Sequence, residues 1–158
     1  DDGYIHLTRD AGKTWKNVTP KDIGDFTRIS LIEASHYAAG TAYVAANRYQ
    51  QDDFAPLFYK TTDFGATWTS LANGLPTQAI NTVREDPYNA DLLFVGTDLG
   101  LYGSLDAGKS WTKITGSVMA AGAAGGRGGG GFGGFGVGPV CGHSSNSAAR
   151  SFCLIAPS

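Results

Sequence analysis

Between Tyr4 and Thr115 the chain alternates short runs of apolar and β-branched residues with clusters of turn formers. Tyr4 to Thr8, Ile29 to Ile32, Thr41 to Ala45, Leu57 to Thr61, Ile80 to Val83, Leu92 to Thr97 and Gly100 to Ser104 are each of strand length, and tracts such as Asp86-Pro87-Tyr88-Asn89 separate them. No window carries the 3.6-residue periodicity of an amphipathic helix. The pattern predicts an all-β chain of short antiparallel strands.

These runs are organised by a repeat. Thr8-Arg9-Asp10-Ala11-Gly12-Lys13-Thr14-Trp15, Thr61-Thr62-Asp63-Phe64-Gly65-Ala66-Thr67-Trp68 and Ser104-Leu105-Asp106-Ala107-Gly108-Lys109-Ser110-Trp111 share Ser/Thr, any, Asp, any, Gly, any, Ser/Thr, Trp, and together they use all 3 tryptophans of the chain. The aspartates are spaced by 53 and then 43 residues, close to the roughly 40 to 50 residues of one four-stranded propeller blade. The expected architecture is a partial β-propeller: about two four-stranded antiparallel blades over residues 1–116, plus half of another. The 10 extra residues of the first interval fall mainly in Asn47-Arg48-Tyr49-Gln50-Gln51-Asp52-Asp53-Phe54-Ala55-Pro56, which reads as a long hairpin loop. Rigid scaffolds carry recognition on such loops, so Arg48, Tyr49, Asp52 and Asp53 are candidate binding residues.

The octapeptide has a physical logic. An Asp two residues before a Gly suits a tight turn, its carboxylate accepting backbone N–H bonds while the Gly takes a positive φ. The Trp opens the next strand, where its ring buries against a neighbouring sheet and its indole N–H finds a carbonyl. Thr8, Thr14, Thr61, Thr67, Ser104 and Ser110 supply hydroxyls for further backbone groups. Asp10, Asp63 and Asp106 are therefore read as turn clamps with Gly12, Gly65, Gly108, Trp15, Trp68 and Trp111, and none as an acid or base.

The octapeptides resemble the Asp-box, or BNR repeat, of sialidases, xyloglucanases, photosystem II assembly propellers and the sortilin family, and the resemblance covers about residues 1 to 116. Asp2-Gly3-Tyr4-Ile5-His6-Leu7-Thr8-Arg9-Asp10, Gly40-Thr41-Ala42-Tyr43-Val44-Ala45-Ala46, Leu57-Phe58-Tyr59-Lys60-Thr61-Thr62-Asp63 and Val83-Arg84-Glu85-Asp86-Pro87 leading into Phe94-Val95-Gly96-Thr97 are similar to bacterial sortilin-like propellers often labelled glycosyl hydrolases. In that group such blades lie toward the C-terminal end of a large secreted or periplasmic propeller, which implies a ligand-binding scaffold. The sequence departs from the family after the third octapeptide, where another blade would follow.

Composition changes there. From Ile114 onward no Asp, Glu, Lys, Trp or Tyr occurs, and the only charges are Arg127 and Arg150. Residues 117–158 read as a disordered, Gly-rich, low-complexity tail, because a tract such as 125–135 cannot bury enough apolar surface to offset chain entropy. Its composition fits a shifted reading frame in GC-rich DNA. Cys141 and Cys153 could close a small loop if oxidised, but with His143 they form no recognised metal-ligand spacing.

A net charge of -2 gives no field to recruit nucleic acid, no apolar run reaches the length of a membrane span, and Asp1-Asp2-Gly3 is no signal peptide. A glycosidase needs two placed carboxyls; among Glu33, Asp52, Asp53, Glu85, Asp86, Asp91 and Asp98 nothing selects a pair, and Glu33 and Glu85 occupy equivalent repeat positions. Arg28, Arg48 and Arg84 with Tyr49 match no sialidase motif, and His6 and His36 lack a nearby nucleophile motif. No cofactor or metal is expected. The leading reading is a non-catalytic scaffold for a protein or peptide ligand, completed by the remaining blades of a parent propeller or by partner chains. The alternative is a non-catalytic part of a glycoside hydrolase propeller with a glycan partner.

Overall fold

The computed structural model describes residues 3–115, 140–142 and 152–155. Its strands are β1 (His6–Thr8), β2 (Lys16–Asn17), β3 (Arg28–Ala34), β4 (Ala42–Arg48), β5 (Asp53–Thr61), β6 (Thr69–Ser70), β7 (Ile80–Glu85), β8 (Leu93–Thr97), β9 (Gly100–Ser104), β10 (Thr112–Ile114), β11 (Val140–Gly142) and β12 (Phe152–Ile155), with one short 3-10 turn at Tyr49–Gln51. They form three four-stranded sheets in the orders β11-β12-β1-β2, β3-β4-β5-β6 and β7-β8-β9-β10, antiparallel throughout. Strand β3 lies against both β7 and β11, so the leading edges of the three sheets gather on one side, as around a propeller axis. This is a partial β-propeller.

Every strand expected from the sequence is present. The first sheet is completed differently from the expectation: β11 and β12 come from the tail, where the sequence predicts no element. Val140 and the run Phe152–Ile155 are β-favouring residues, and β12 pairs with β1, which would otherwise present an open edge. The backbone register sets Cys141 opposite Cys153. The rest of the expected Gly-rich disorder falls outside the described residues. The extra residues of the first interval also behave differently from a long loop. Arg48 pairs in register with Asp53 across a bulge, so most of the insertion lengthens β4 and β5 and the connection shrinks to a tight turn closed by the Asp52 N–H on the Tyr49 carbonyl at 3.1 Å, with Asp52 left-handed at φ 56.

The core lies between the sheets. Ile5, Leu7, Val18 and Ile23 pack against Ile32, Val44, Ala46 and Leu57 between the first and second sheets. Tyr43, Ala45 and Phe58 pack against Ile80, Val83, Leu93 and Val95 between the second and third. Alternate residues of β4 serve the two clusters, which is why Ala42 to Asn47 are all buried and read as a continuous run. Burying a side chain such as Phe58 contributes about 1.5–3 kcal/mol, and its ring stacks near Tyr43 and meets Trp111 edge-on at 5.7 Å.

The octapeptides make three near-identical turns at the outer hairpins. Asp63 Oδ1 accepts the Thr61 hydroxyl at 2.9 Å and the Thr67 N–H at 2.8 Å, Oδ2 accepts the Thr67 hydroxyl at 2.6 Å, and the Thr61 hydroxyl oxygen accepts the Gly65 N–H at 2.9 Å. Asp10 repeats this with Thr8, Thr14 and Gly12, and Asp106 with Ser104, Ser110 and Gly108. The turn needs two successive left-handed residues, so Ala11, Phe64 and Ala107 take φ of 58, 60 and 59 just before the glycines, a strain for side-chain-bearing residues that the carboxylate network holds in place. The following strands begin one residue after each Trp, at Lys16, Thr69 and Thr112. Trp68 Nε1 donates to the Val18 carbonyl at 2.6 Å and Trp111 Nε1 to the Leu71 carbonyl at 2.9 Å, tying each sheet to the one before it. Trp15 instead donates to Gly12 of its own turn at 3.1 Å.

Bonds from the serine and threonine side chains and backbone hold Asp10, Asp63 and Asp106 down at about 2, with the Thr14, Thr67 and Ser110 hydroxyls the largest cause in each. A depressed folded-state pKa contributes stability that is present above the unfolded value of about 3.9 and lost as pH falls toward 2. Urea midpoints followed from pH 6 to pH 2 should therefore hold until about pH 4 and fall steeply below it. In Asp63→Asn the midpoint should be lower at neutral pH and the acid limb shallower.

Candidate functional site

The leading strands of the second and third sheets enclose a cleft of about 330 Å3 lined by Arg28, Ser30, Asn47, Asn81, Thr82 and Arg84. Arg28 and Ser30 come from β3, Asn47 from β4, and Asn81, Thr82 and Arg84 from β7. The side chains of Arg28, Asn81, Thr82 and Arg84 are solvent-facing, whereas Asn47 is 2% exposed. Asn47 Nδ2 donates to the Ser30 hydroxyl at 2.7 Å, and among the described residues its Oδ1 has no hydrogen-bond partner. The cleft therefore offers two guanidinium groups and several neutral donors and acceptors on strands fixed by the core, a chemistry suited to carboxylate and amide groups.

Below the cleft, two buried glutamates join the sheets. Arg84 Nη1 donates to Glu33 Oε2 at 2.7 Å across the boundary, and His36 Nε2 lies 3.8 Å from Glu33 Oε1. Burial pushes the Glu33 carboxyl up, while Arg84 and His36 pull it back down. Glu85 is 4% exposed and accepts three bonds from the second sheet: the Ser35 hydroxyl at 2.9 Å, the Tyr43 hydroxyl at 3.1 Å and the His36 N–H at 2.6 Å. Burial, with the Glu85 carboxylate beside it, holds the Tyr43 phenol well above its usual range. Both glutamates are thus engaged in holding one sheet to the next. Asp86 is likewise occupied, accepting the N–H groups of Tyr88 and Asn89, and Asp98 accepts from Asn81 at 2.7 Å.

The candidate loop residues divide. Tyr49 is exposed, and its hydroxyl receives Arg28 Nη1 at 3.4 Å and Gln50 Nε2 at 3.3 Å, which sets it beside the cleft. Arg48 pairs with Asp53 across the hairpin, Asp53 also accepts the Ala55 N–H, and Asp52 forms the left-handed corner of the turn. Arg28, Arg84 and Tyr49 are thus brought to one place, and Arg48 is not. Ser30, Asn47, Asn81 and Thr82 carried no signal in the sequence, because only the packing of β7 on β3 joins them. The octapeptide residues stay in three separate turns at the outer hairpins. A second cleft of about 450 Å3, lined by Lys16, Lys21, Asp22, Tyr59 and Trp68, opens between the outer strands of the first two sheets. Among the described residues no group of three or more His, Cys, Asp or Glu could hold a metal ion, and no helix is long and apolar enough to cross a membrane.

Glu85→Ala leaves the Tyr43 and Ser35 hydroxyls and the His36 N–H without their acceptor, at about 1–3 kcal/mol for each group that stays buried. Arg84→Ala strands only Glu33, and the arginine head is 61% exposed, so water compensates in part. Urea denaturation should rank Glu85→Ala as clearly more destabilising than Arg84→Ala.

A scan against protein-family models and a search of curated proteins give no match. Solved structures do match. A GH74 enzyme from Niastella koreensis aligns with a TM-score of 0.55 at 20% identity, over 72% of this chain and 19% of that one. YCF48 bound to D1 peptide aligns with a TM-score of 0.53 at 20% identity, over 71% of this chain and 34% of that one. An ancestral GH74 enzyme gives a TM-score of 0.48 at 25% identity, over 60% and 11%. The chain spans at most about a third of the length of these proteins, and at such identities the likeness is one of fold: four-stranded blades of a β-propeller.

Proposed function

We propose that the chain is part of a sortilin-like Asp-box propeller that binds a protein or peptide and performs no catalysis of its own. The observation that carries this reading is the cleft between β3 and β7, where Arg28 and Arg84 stand with Ser30, Asn47, Asn81 and Thr82 on rigid strands beside the exposed Tyr49. Guanidinium and amide groups in one groove fit the carboxylates and backbone amides of a peptide. The carboxyls nearest to it, Glu33, Glu85 and Asp98, are occupied by bonds to Arg84, to Ser35, Tyr43 and His36, and to Asn81. No pair is left poised for acid and nucleophile roles. YCF48, a propeller of similar fold, is seen with a peptide bound, which supports the same class of ligand here. Work in the periplasm or outside the cell belongs to this proposal through the sortilin-like resemblance.

The second reading, a non-catalytic portion of a glycoside hydrolase propeller, draws on the likeness to the Niastella koreensis GH74 enzyme. The two readings separate by challenging the chain with a peptide library and with a glycan array, and by assaying reducing sugar. Retention of acidic peptides, weakened about tenfold by Arg28→Ala (~1.4 kcal/mol), is the expected result. Glycan retention without peptide retention would replace the first reading by the second, and release of reducing sugar would defeat both.

A further inference from the structure

A turn on the outer side of the boundary between the second and third sheets carries a reactive pair that neither the fold nor the cleft uses. After β6 the chain reverses over residues 72–75: the Leu75 N–H donates to the Ala72 carbonyl at 3.0 Å, and Gly74, third in the turn, takes a φ of 86, which a glycine adopts readily. Asn73 and Gly74 are both exposed. The residues flanking them are held. The Leu71 N–H donates to the Phe58 carbonyl at 2.9 Å, the Leu71 carbonyl receives the Trp111 indole at 2.9 Å, and Leu71, Leu75 and Trp111 pack on the cluster that contains Phe58, Ile80 and Val95.

An asparagine amide reacts with the next peptide nitrogen when both groups are free and the approach is open. Four asparagines are restrained. Asn17 Oδ1 accepts the Thr19 N–H at 2.9 Å, Asn47 donates to Ser30 at 2.7 Å, Asn81 donates to Asp98 at 2.7 Å, and Asn89 Oδ1 accepts the Asp91 N–H at 3.1 Å. Among the described residues Asn73 is the asparagine whose side chain makes no hydrogen bond, and the Gly74 N–H has no acceptor. The next residue sharpens the contrast: Val18, Arg48, Thr82 and Ala90 each set a β-carbon beside the attacking nitrogen, and Gly74 has none.

We propose that Asn73 is a site of spontaneous deamidation, and that the product loosens the boundary between the second and third sheets. The Gly74 nitrogen attacks Asn73 Cγ, forming a C–N bond, and the side-chain nitrogen leaves with the displaced proton as ammonia. A five-membered succinimide remains. Water then opens it at either carbonyl: at Cγ the product is aspartate, and at the main-chain carbonyl it is isoaspartate, whose backbone runs through the side-chain methylene. No oxidant or reductant is needed. The isoaspartyl turn is one backbone atom longer than the turn that seats both Leu71 and Leu75, and the Leu71 carbonyl is drawn off the Trp111 indole.

Ageing the full chain at neutral pH and physiological temperature, followed by tryptic digestion, tests this, because Lys60 and Arg84 bracket Asn73 and Asn81 in one peptide. That peptide should give way to two species with the mass increment of amide-to-acid exchange, isoaspartate the more abundant, both changed at position 73 with Asn81 intact. An isoaspartyl methyltransferase should label the aged chain and leave aged Asn73→Gln unlabelled. The aged chain should melt at a lower temperature than the fresh one, while Asn73→Gln keeps its fresh value on ageing. Freshly made Asn73→Asp, which brings the charge without the extra atom, should melt close to the parent. A peptide that keeps its amide at position 73, or converts at Asn81 instead, would overturn the assignment. Conversion at position 73 with no change in melting temperature would overturn the loosening, and a loss in Asn73→Asp as large as that of the aged chain would overturn the added backbone atom as its cause.

Discussion

The whole arrangement depends on a carboxylate closing a turn. Asp63 takes three hydrogen bonds from its own octapeptide, and only then can Phe64 and Gly65 both sit in left-handed conformation and the chain reverse tightly enough to send Trp68 back across the preceding sheet. The indole bond to Val18 is the visible result: a local turn has become a contact between sheets. Because the same turn recurs with Asp106, the same step is taken twice, and the stack grows by repetition of one local geometry.

This dependence explains what the sequence made legible. Three Trp-containing octapeptides at blade-like spacing revealed the turns, the strand order and the all-β class, because each of those is set within a few residues. The strands that serve two cores, β4 above all, were readable as apolar runs. What could not be read were consequences of sheet-to-sheet placement. Glu33 and Glu85 were recognisable as equivalent repeat positions, but that Glu85 would be enclosed by Ser35, Tyr43 and His36 requires the third sheet to lie on the second. The pairing of β12 with β1 joins opposite ends of the chain, which no local pattern announces. The insertion after Ala45 was seen as extra length, and its conversion into longer strands came from the Arg48 and Asp53 pairing.

The same reasoning separates the cleft from the turns. The octapeptides are the most conspicuous residues in the sequence, and they are employed in their own turns and in the indole bonds from one sheet to the one before it. The cleft is made of residues inconspicuous in sequence, Ser30, Asn47, Asn81 and Thr82, beside two arginines whose number alone signified nothing. Tyr49 links the two levels, since the tight connection between β4 and β5 delivers its hydroxyl to Arg28.

The strand order of the first sheet has a kinetic consequence. The second and third sheets are built from consecutive strands, each closed by a short connection. In the first sheet β1 must pair with β12, which requires the two ends of the chain to meet, a closure with a larger entropic cost and a slower search. The order of assembly follows: the second and third sheets form from local hairpins, and the first completes last. In the interval the edge of β1 that receives β12 stays unpaired, and an open strand edge is a template for pairing with another chain.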